Sequence, residues 1–173
     1  MKGTAFLSFS HANEPDEQWL YLPAIKRVKR ISSANKSGPF MGSEFAYEDL
    51  ASFELAKFEF NLLREESLQG EKCFVLEMTP TYEYSGYSKQ IAWVDQQHYR
   101  VHRIEYYDRK GSLLKTLTQS AYQLYAEQYW RPLKMEMINH QTGKATLLTW
   151  ENYQLKQGLD ASEFTKNALK RAR

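Results

Sequence analysis

The chain is 173 residues long, which suits one domain with a hydrophobic core of ordinary size. Hydrophobic residues make up 42% and aromatic residues 14%, and this aromatic content favours β-strands, because flat rings stack well on a pleated surface. The 23 basic and 21 acidic residues give a formal net charge of +2, which provides no general argument for binding nucleic acid.

Three strands are predicted in the N-terminal part of the chain. Residues 4–10 are apolar on both faces, which indicates that this strand packs on both sides. A turn around Pro15 precedes a second strand at residues 18–22, and a tight turn at Pro23 leads into a third strand at residues 25–32. The second and third strands are expected to form a hairpin.

The third strand contains a basic patch, formed by Lys26, Arg27, Lys29 and Arg30 around Val28. A solvated face is the simplest interpretation, since charged side chains keep an exposed strand soluble and resist edge-to-edge pairing. The alternative is contact with an anionic lipid head group or an acidic partner. The patch is short and the net charge of the chain is close to zero, so nucleic acid is not a predicted partner.

A loop and two short helices are predicted between the third strand and the next. Gly38 and Gly42, at the two ends of residues 38–42, give the backbone of this loop freedom around Pro39. Ser43 and Asp49 are plausible N-caps for two short helices within residues 43–57, whose apolar side chains would lie on one face. Such helices could cover the concave face of a sheet, so the loop and the helices are predicted as a lid. A helix that only covers a core would show the same pattern.

From residue 58 onward, strand-like runs alternate with short turns at nearly constant spacing. The predicted strands are residues 58–66, 72–79, 90–94, 99–107, 112–125, 130–140 and 145–153. This succession of hairpins predicts an antiparallel sandwich or barrel. After the last strand, Asp160 is a credible N-cap with Glu163 three residues later, which predicts a short helix within residues 159–173.

The motifs of catalysis and metal binding are missing from the sequence. The lone Cys73 excludes an intramolecular disulfide and is predicted to be a buried core residue. His98 and His102 lie on a predicted strand, where four residues span roughly 13 Å, which is too far for one ion. No Ser-hydrolase elbow occurs, and no run approaches the roughly 18 apolar residues that span a bilayer. We therefore expect no metal, no cofactor, no enzyme activity and no membrane-spanning segment.

Two groups of apolar side chains suggest a pocket. Leu133, Met135 and Met137 share one face by the two-residue period of a strand, and methionine adapts to varied apolar ligands. The second group consists of aromatic side chains on strands that should lie near each other, Trp19, Tyr21 and Trp93. A plain core and the wall of an apolar pocket would both use these residues, so the pattern alone leaves both interpretations open.

Segments along nearly the whole chain resemble the outer-membrane lipoprotein-sorting, LolA/LolB-like superfamily. They are DEQWLYLPAIKRVKRISS, KSGPFMGSEFAYEDL, SGYSKQIAWVD, YYDRKGSLLKTL, MEMINHQTGKATLLTW and FTKNALKRAR, in the expected order. The resemblance is to a branch of larger periplasmic proteins found beside lipid-exporting pumps. It implies a mainly β fold, a curved antiparallel sheet or incomplete β-barrel with short helices covering its concave face. It also implies that residues 1–173 are a single LolA-like domain that lacks the family's signal peptide and N-terminal segment.

The function implied by the resemblance is that of a periplasmic carrier or chaperone. An apolar cavity would hold acyl chains of lipoproteins or lipids in transit toward the outer membrane, with an inner-membrane exporter or an outer-membrane acceptor as partner. The side chains expected to contact the ligand are Trp19, Tyr21, Phe40, Met41, Phe45, Tyr47, Trp93, Leu133, Met135 and Met137. The alternative is a sensor or adaptor domain of the same fold that binds a membrane transporter and carries no lipid.

Overall fold

The structure is a computed structural model that describes residues 3–11 and 14–171. Within these residues the chain forms ten β-strands and one short α-helix. The strands are β1 (Ala5–Phe9), β2 (Glu17–Leu22), β3 (Arg27–Ile31), β4 (Phe58–Leu68), β5 (Glu71–Pro80), β6 (Tyr87–Asp95), β7 (Val101–Asp108), β8 (Leu113–Tyr125), β9 (Tyr129–Asn139) and β10 (Ala145–Thr149). The helix is α1 (Lys166–Leu169). None of the helices in the described ranges is long and apolar enough to cross a bilayer.

The strands form two antiparallel sheets, a small one of β1, β2 and β3 and a large one of β4 to β10. In the large sheet every strand pairs with its neighbours in sequence, so the chain runs as a simple meander. Four register shifts occur in three of the six strand pairs, and such bulges bend strands and increase their twist. Because β4 and β10 stand at its two ends, the large sheet is open. The predicted incomplete barrel of antiparallel strands is therefore confirmed, and a fully closed barrel is not.

The connection between β3 and β4, residues 32–57, lies over the concave face of the large sheet and is called the cover segment. It contains isolated 3-10 turns at Ser33–Asn35, Phe40–Gly42, Glu48–Leu50 and Leu55–Lys57. The two predicted α-helices are wrong, because Ala51 is extended (ψ 156°) and separates the turns. The Asp49 carboxylate accepts the Ala46 N–H at 2.6 Å, so it closes a single turn instead of beginning a second helix.

The small sheet packs between the cover segment and the C-terminal region. On one face, Leu7 and Trp19 pack against Leu169 of α1. On the other face, the Gln18 side chain donates a hydrogen bond of 3.1 Å to the Tyr47 carbonyl of the cover segment. Near the C-terminus, Asp160 and Glu163 form the predicted capping box, although the turn they cap is 3-10 and α1 follows as a separate short helix.

Two hydrophobic clusters lie on opposite faces of the large sheet. The first, between the concave face and the cover segment, contains Phe45, Tyr87, Tyr106, Leu117 and Met137. The second, on the convex face, contains Cys73, Val75 and Trp93. Cys73 is fully buried as predicted, and burial raises the pKa of its thiol, which makes it a poor nucleophile at neutral pH.

Candidate ligand cavity

A cavity of about 380 Å³ lies between the concave face of the large sheet and the cover segment. Five consecutive strands, β5 to β9, supply the apolar floor: Leu76, Met78, Ala92, Val94, Val101, Ile104, Tyr106, Leu117 and Met135. The cover segment and the start of β4 close the other side with Phe53, Leu55 and Phe58. This volume lies in the range of roughly 300–1,000 Å³ that is typical of ligand sites, and its wall suits an apolar ligand.

The floor arises from strand register. Leu76 pairs with Ala92, Ala92 with Ile104, and Ile104 with Leu117, and paired residues point to the same face. The row continues to Met137, the partner of Leu117 on β9. Ala92 is the smallest side chain of this row and leaves space near its middle. Beyond Leu117 the space is filled, because Phe45 packs against Met137 in the first hydrophobic cluster.

A buried ion pair fixes the cover segment to the floor. The Lys115 ammonium donates to Asp49 Oδ2 at 2.6 Å and to the Glu44 carbonyl at 2.9 Å. The hydroxyl of Tyr87 donates to the other oxygen of Asp49 at 2.6 Å. Both charged side chains are almost fully buried, with exposed fractions of 5% for Lys115 and 2% for Asp49. Removing either partner would leave a buried unpaired charge, so residues 44–50 form a firmly held part of the cover.

A second carboxylate, that of Glu48, holds the loop between β5 and β6. It accepts hydrogen bonds from the Tyr82 hydroxyl at 2.9 Å, the Ser85 hydroxyl at 3.1 Å and the Gly86 N–H at 2.8 Å. A Cβ atom at Gly86 would lie 2.8 Å from Glu48 Oε1, so this approach requires glycine. Burial raises the pKa of the Glu48 carboxyl and also that of the Tyr82 hydroxyl.

One end of the cavity is charged. Asp16 pairs with Lys57 through a short salt bridge, and Lys36 Nζ lies 3.9 Å from the other oxygen of Asp16 and 4.0 Å from the centre of the Tyr82 ring. Burial lowers the pKa of the Lys36 ammonium. Lys36, Lys57 and Tyr82 also line a second cavity of about 350 Å³, whose other side includes Glu83. These three side chains therefore separate a largely apolar space from a more polar one.

The rest of the cover segment, residues 51–56, is held more loosely. In the described part of the chain, its hydrogen bonds to the side chains of other elements run from the Ser52 N–H to the Ser10 hydroxyl at 3.1 Å and from the Thr81 hydroxyl to the Ala56 carbonyl at 3.4 Å. Phe53 and Leu55 face the cavity yet remain 58% and 69% exposed, so they stand at its mouth. Phe53 stacks on Phe58 with ring centres 5.2 Å apart, which extends an apolar rim onto β4.

The structure places the predicted ligand residues in several different environments. Met135 lies on the cavity wall, and its contact with a ligand stays a prediction. Phe45 and Met137 lie beside the cavity in the first hydrophobic cluster, with exposed fractions of 1% and 0%. For Met137 the plain-core interpretation therefore applies, because it is closely packed in a cluster with Phe45. Leu133 is half-buried and lies outside the residues that line the cavity.

Two predicted ligand residues of the cover segment, Phe40 and Tyr47, face the small sheet, and a third, Met41, lies outside the residues that line the cavity. Phe40 and Tyr47 form an aromatic group with Phe6 of β1, with ring centres 5.4 to 5.9 Å apart. Met41 is half-buried next to them and has a left-handed backbone, with φ of 52°. The prediction that these three side chains line the cavity is corrected, and Phe40 and Tyr47 instead connect the cover segment to the small sheet.

The predicted aromatic residues on strands lie on the wrong faces for the cavity. Trp19 and Tyr21 belong to the face of the small sheet that packs toward α1. Trp93 points to the convex face, where its ring lies 4.9 Å from the Arg103 guanidinium. The prediction that they line the cavity is corrected for all three. In contrast, Lys26, Arg27, Lys29 and Arg30 are exposed, as a solvated patch requires.

Comparison with known proteins supports one family. A family model described as "Uncharacterized protein" matches residues 1–171. A domain from Vibrio parahaemolyticus, named as an outer membrane lipoprotein-sorting protein, is similar to this chain at 58% identity and a TM-score of 0.95, over 98% of this chain and 72% of that one. A search of the curated proteins gives no significant match.

Two further crystal structures extend the similarity. A DUF1329 family protein from Desulfovibrio piger has 32% identity and a TM-score of 0.91, over 96% of this chain and 71% of that one. A LolA superfamily protein from Nitrosomonas europaea has 27% identity and a TM-score of 0.70, over 88% of this chain and 67% of that one. The chain therefore belongs to the LolA-like superfamily of outer-membrane lipoprotein-sorting proteins, as its sequence segments predict.

Proposed function

We propose that this protein is a periplasmic carrier that shields acyl chains of a lipoprotein or a lipid in transit toward the outer membrane. The observation that carries the proposal is the apolar cavity under the cover segment, in a family named for lipoprotein sorting. Removing each acyl CH₂ from water contributes roughly 0.8 kcal/mol, so a chain of ordinary length would bind without covalent chemistry. The role is non-catalytic.

Release requires that the cavity opens, and residues 51–56 are the part proposed to move. This stretch has exposed apolar side chains and few hydrogen bonds, whereas residues 44–50 are fixed through Asp49 and Lys115. Regions of low local stability supply the lids of binding sites. The lid predicted from sequence, the loop 38–42 together with residues 43–57, is therefore narrowed to residues 51–56.

The proposal is tested by filling the cavity. In Ala92→Phe, a phenyl ring would enter the space next to Leu76 and Ile104, so binding of a fluorescent fatty acid should fall about tenfold or more. Ser88→Phe is the matched control, because it adds the same group at an exposed position of the same strand. Fatty-acid titration and chemical denaturation are measured on both variants.

Unchanged binding by a folded Ala92→Phe would contradict the carrier proposal. Native mass spectrometry of protein from a lipid-containing host provides a second measurement, since a carrier should retain lipid. Consistent absence of lipid together with no fatty-acid binding would favour the adaptor alternative, in which the same fold binds a membrane transporter.

The partner proposed for delivery or loading is an inner-membrane exporter or an outer-membrane acceptor, contacted through the exposed basic patch of β3. Replacing both Arg27 and Lys29 by Gln should weaken association with anionic vesicles, more so at low salt, because surface charges are screened within about 10 Å at 0.1 M. Stability should change by less than about 0.5 kcal/mol, as expected for exposed sites. Vesicle co-sedimentation at two salt concentrations checks this, and a large loss of folding stability would contradict it.

A further inference from the structure

The Lys36 ammonium is a buried cation that faces both cavities. Its side chain is 8% exposed, and the nearest carboxylate oxygen, Asp16 Oδ2, lies 3.9 Å away, beyond hydrogen-bond distance. Within residues 3–11 and 14–171, we find no hydrogen bond from Lys36 Nζ to a protein acceptor, although an ammonium has three donors. Burial of a charge is unfavourable unless it is paired, so this site calls for an acceptor.

Two neighbouring acidic groups, Asp16 and Glu48, are already engaged. Asp16 forms its short salt bridge with Lys57, so one carboxylate serves two ammonium groups. The Glu48 carboxylate lies on the same cavity wall, but it accepts three hydrogen bonds from the loop between β5 and β6. The Lys36 ammonium therefore keeps donors toward the cavity that no acceptor among the described residues fills, although the Glu54 carboxylate also lines the larger cavity.

We propose that the Lys36 ammonium binds the anionic head group of an amphiphile whose acyl chain fills the larger cavity. This inference rests on the proposed carrier function and adds the class of its ligand. A carboxylate or phosphate oxygen would accept a charge-assisted hydrogen bond from Nζ. The face of the Tyr82 ring, 4.0 Å from Nζ, stabilises the ammonium from the opposite direction and limits its movement.

The smaller cavity limits the charge of the head group. It begins at Lys36 and Lys57, and its outer wall carries the exposed carboxylates of Glu14 and Glu83. These carboxylates repel a second negative charge, so the head group has a single anionic group near Lys36 and a neutral or cationic part beyond it. A fatty-acid carboxylate and the phosphodiester of a phospholipid both meet this requirement.

The test compares ligands that differ only in head-group charge. The affinities of dodecanoate and dodecanol are to be measured at neutral pH by their displacement of the uncharged dye N-phenyl-1-naphthylamine from the cavity. The wild-type protein should bind dodecanoate about tenfold more tightly than dodecanol, as expected for one charge-assisted hydrogen bond. Lys36→Met should lose this preference and still bind dodecanol, whereas Lys26→Met, at an exposed lysine, should keep it.

Two additional ligands identify the source of the anion. A dodecanoyl lysophospholipid is the first of them. If it binds more tightly than dodecanol while dodecanoate does not, the inference is supported with a phosphodiester as the anion. Strong displacement by inorganic phosphate alone would indicate a site for a free anion and overturn the inference. Lys36→Arg retains the charge and should retain the preference.

The outcomes separate this inference from the function on which it rests. Equal affinity of wild type for dodecanol and for both anionic amphiphiles would overturn the head-group assignment and leave the carrier function standing. Absence of displacement by any acyl ligand would overturn both. The wild-type affinities for dodecanol and the anionic amphiphiles test the head-group assignment even if a Lys36 variant does not fold.

Discussion

At the scale of single residues, Asp95 at the end of β6 is the polar group on which the turn to β7 depends. Its side chain is 1% exposed and accepts hydrogen bonds from the His98 N–H at 2.6 Å, Arg100 Nε at 2.8 Å and His102 Nε2 at 2.9 Å. Burial alone would raise the pKa of this carboxyl, but these bonds and the Arg100 charge together hold it well below its ordinary value.

The depressed pKa of Asp95 predicts the behaviour of the protein in acid. The ionised carboxylate contributes stability above its unfolded pKa of about 3.9, and this contribution is lost as the pH falls toward the folded value. Asp95→Asn should therefore lower the unfolding free energy at pH 7 by about 3 kcal/mol, the lower end for a broken buried pair, because the buried Arg100 would keep only the partly exposed Glu71 as a counter-charge. It should also flatten the fall in stability below pH 4.

Urea denaturation between pH 3 and pH 7 measures both effects. The control is Asp160→Asn, since Asp160 caps an exposed turn and Asn is an equally good cap. A loss of stability in Asp95→Asn no larger than that of the control would show that the turn does not depend on the charge.

Met135 and Met137 are two residues apart on β9 and differ in their surroundings, which gives a matched pair. Met137 is fully buried in the first hydrophobic cluster, so Met137→Ala should cost the roughly 2–5 kcal/mol typical of a close-packed site. Met135 borders the cavity, so Met135→Ala should cost less and should change fatty-acid affinity. Denaturation midpoints and fatty-acid titrations of both variants check this, and equal stability losses would contradict it.

At the scale of elements, the cover segment shows where sequence reasoning is weakest. Its caps and apolar spacing predict two helices, but the Asp49 carboxylate binds Lys115 and Tyr87 of the sheet. Propensity cannot anticipate this, because the partners lie 66 and 38 residues away. The hairpins, in contrast, depend on local turn chemistry and period-two alternation, and they form as predicted.

If residues 51–56 are the lid, a covalent tether should slow exchange of the ligand. The Ser52 N–H donates to the Ser10 hydroxyl, so the double variant Ser10→Cys and Ser52→Cys places two thiols in reach of each other. Oxidation should reduce the rate of fatty-acid release about tenfold, and a reductant should restore it. Wild-type protein given the same treatment is the control, because its Cys73 is buried. Equal release rates with and without the tether would show that residues 51–56 are not the lid.

At the scale of the whole molecule, the sequence predicts the open antiparallel sheet but not which side chains face its concave surface. Tyr87 and Gln90 both line the cavity although they are three residues apart, because a register shift falls between Tyr87 and Lys89. A bulge of this kind reverses the alternation of faces and has no clear sequence signal. Large aromatic side chains such as Trp93 are predicted from sequence to contact the ligand, whereas the cavity depends on the small side chain of Ala92. The buried Lys36 could have been found only as a cation in a loop otherwise rich in Ser, Asn and Gly.

The floor of the cavity is built from local strand pairs and the cover segment is held by long-range contacts, which has a consequence for the order of folding. Each strand of the floor pairs with its neighbour in sequence, whereas Glu44 reaches Asn139 and Thr146, which lie 95 and 102 residues away. Closing long loops is entropically costly, so the meander should assemble before the cover docks. Pulsed hydrogen exchange during refolding would detect this order as protection of β5 to β8 before residues 44–50. A newly made molecule would thus expose its bare concave face for an interval, and an acyl chain present at that moment could be enclosed as the protein matures.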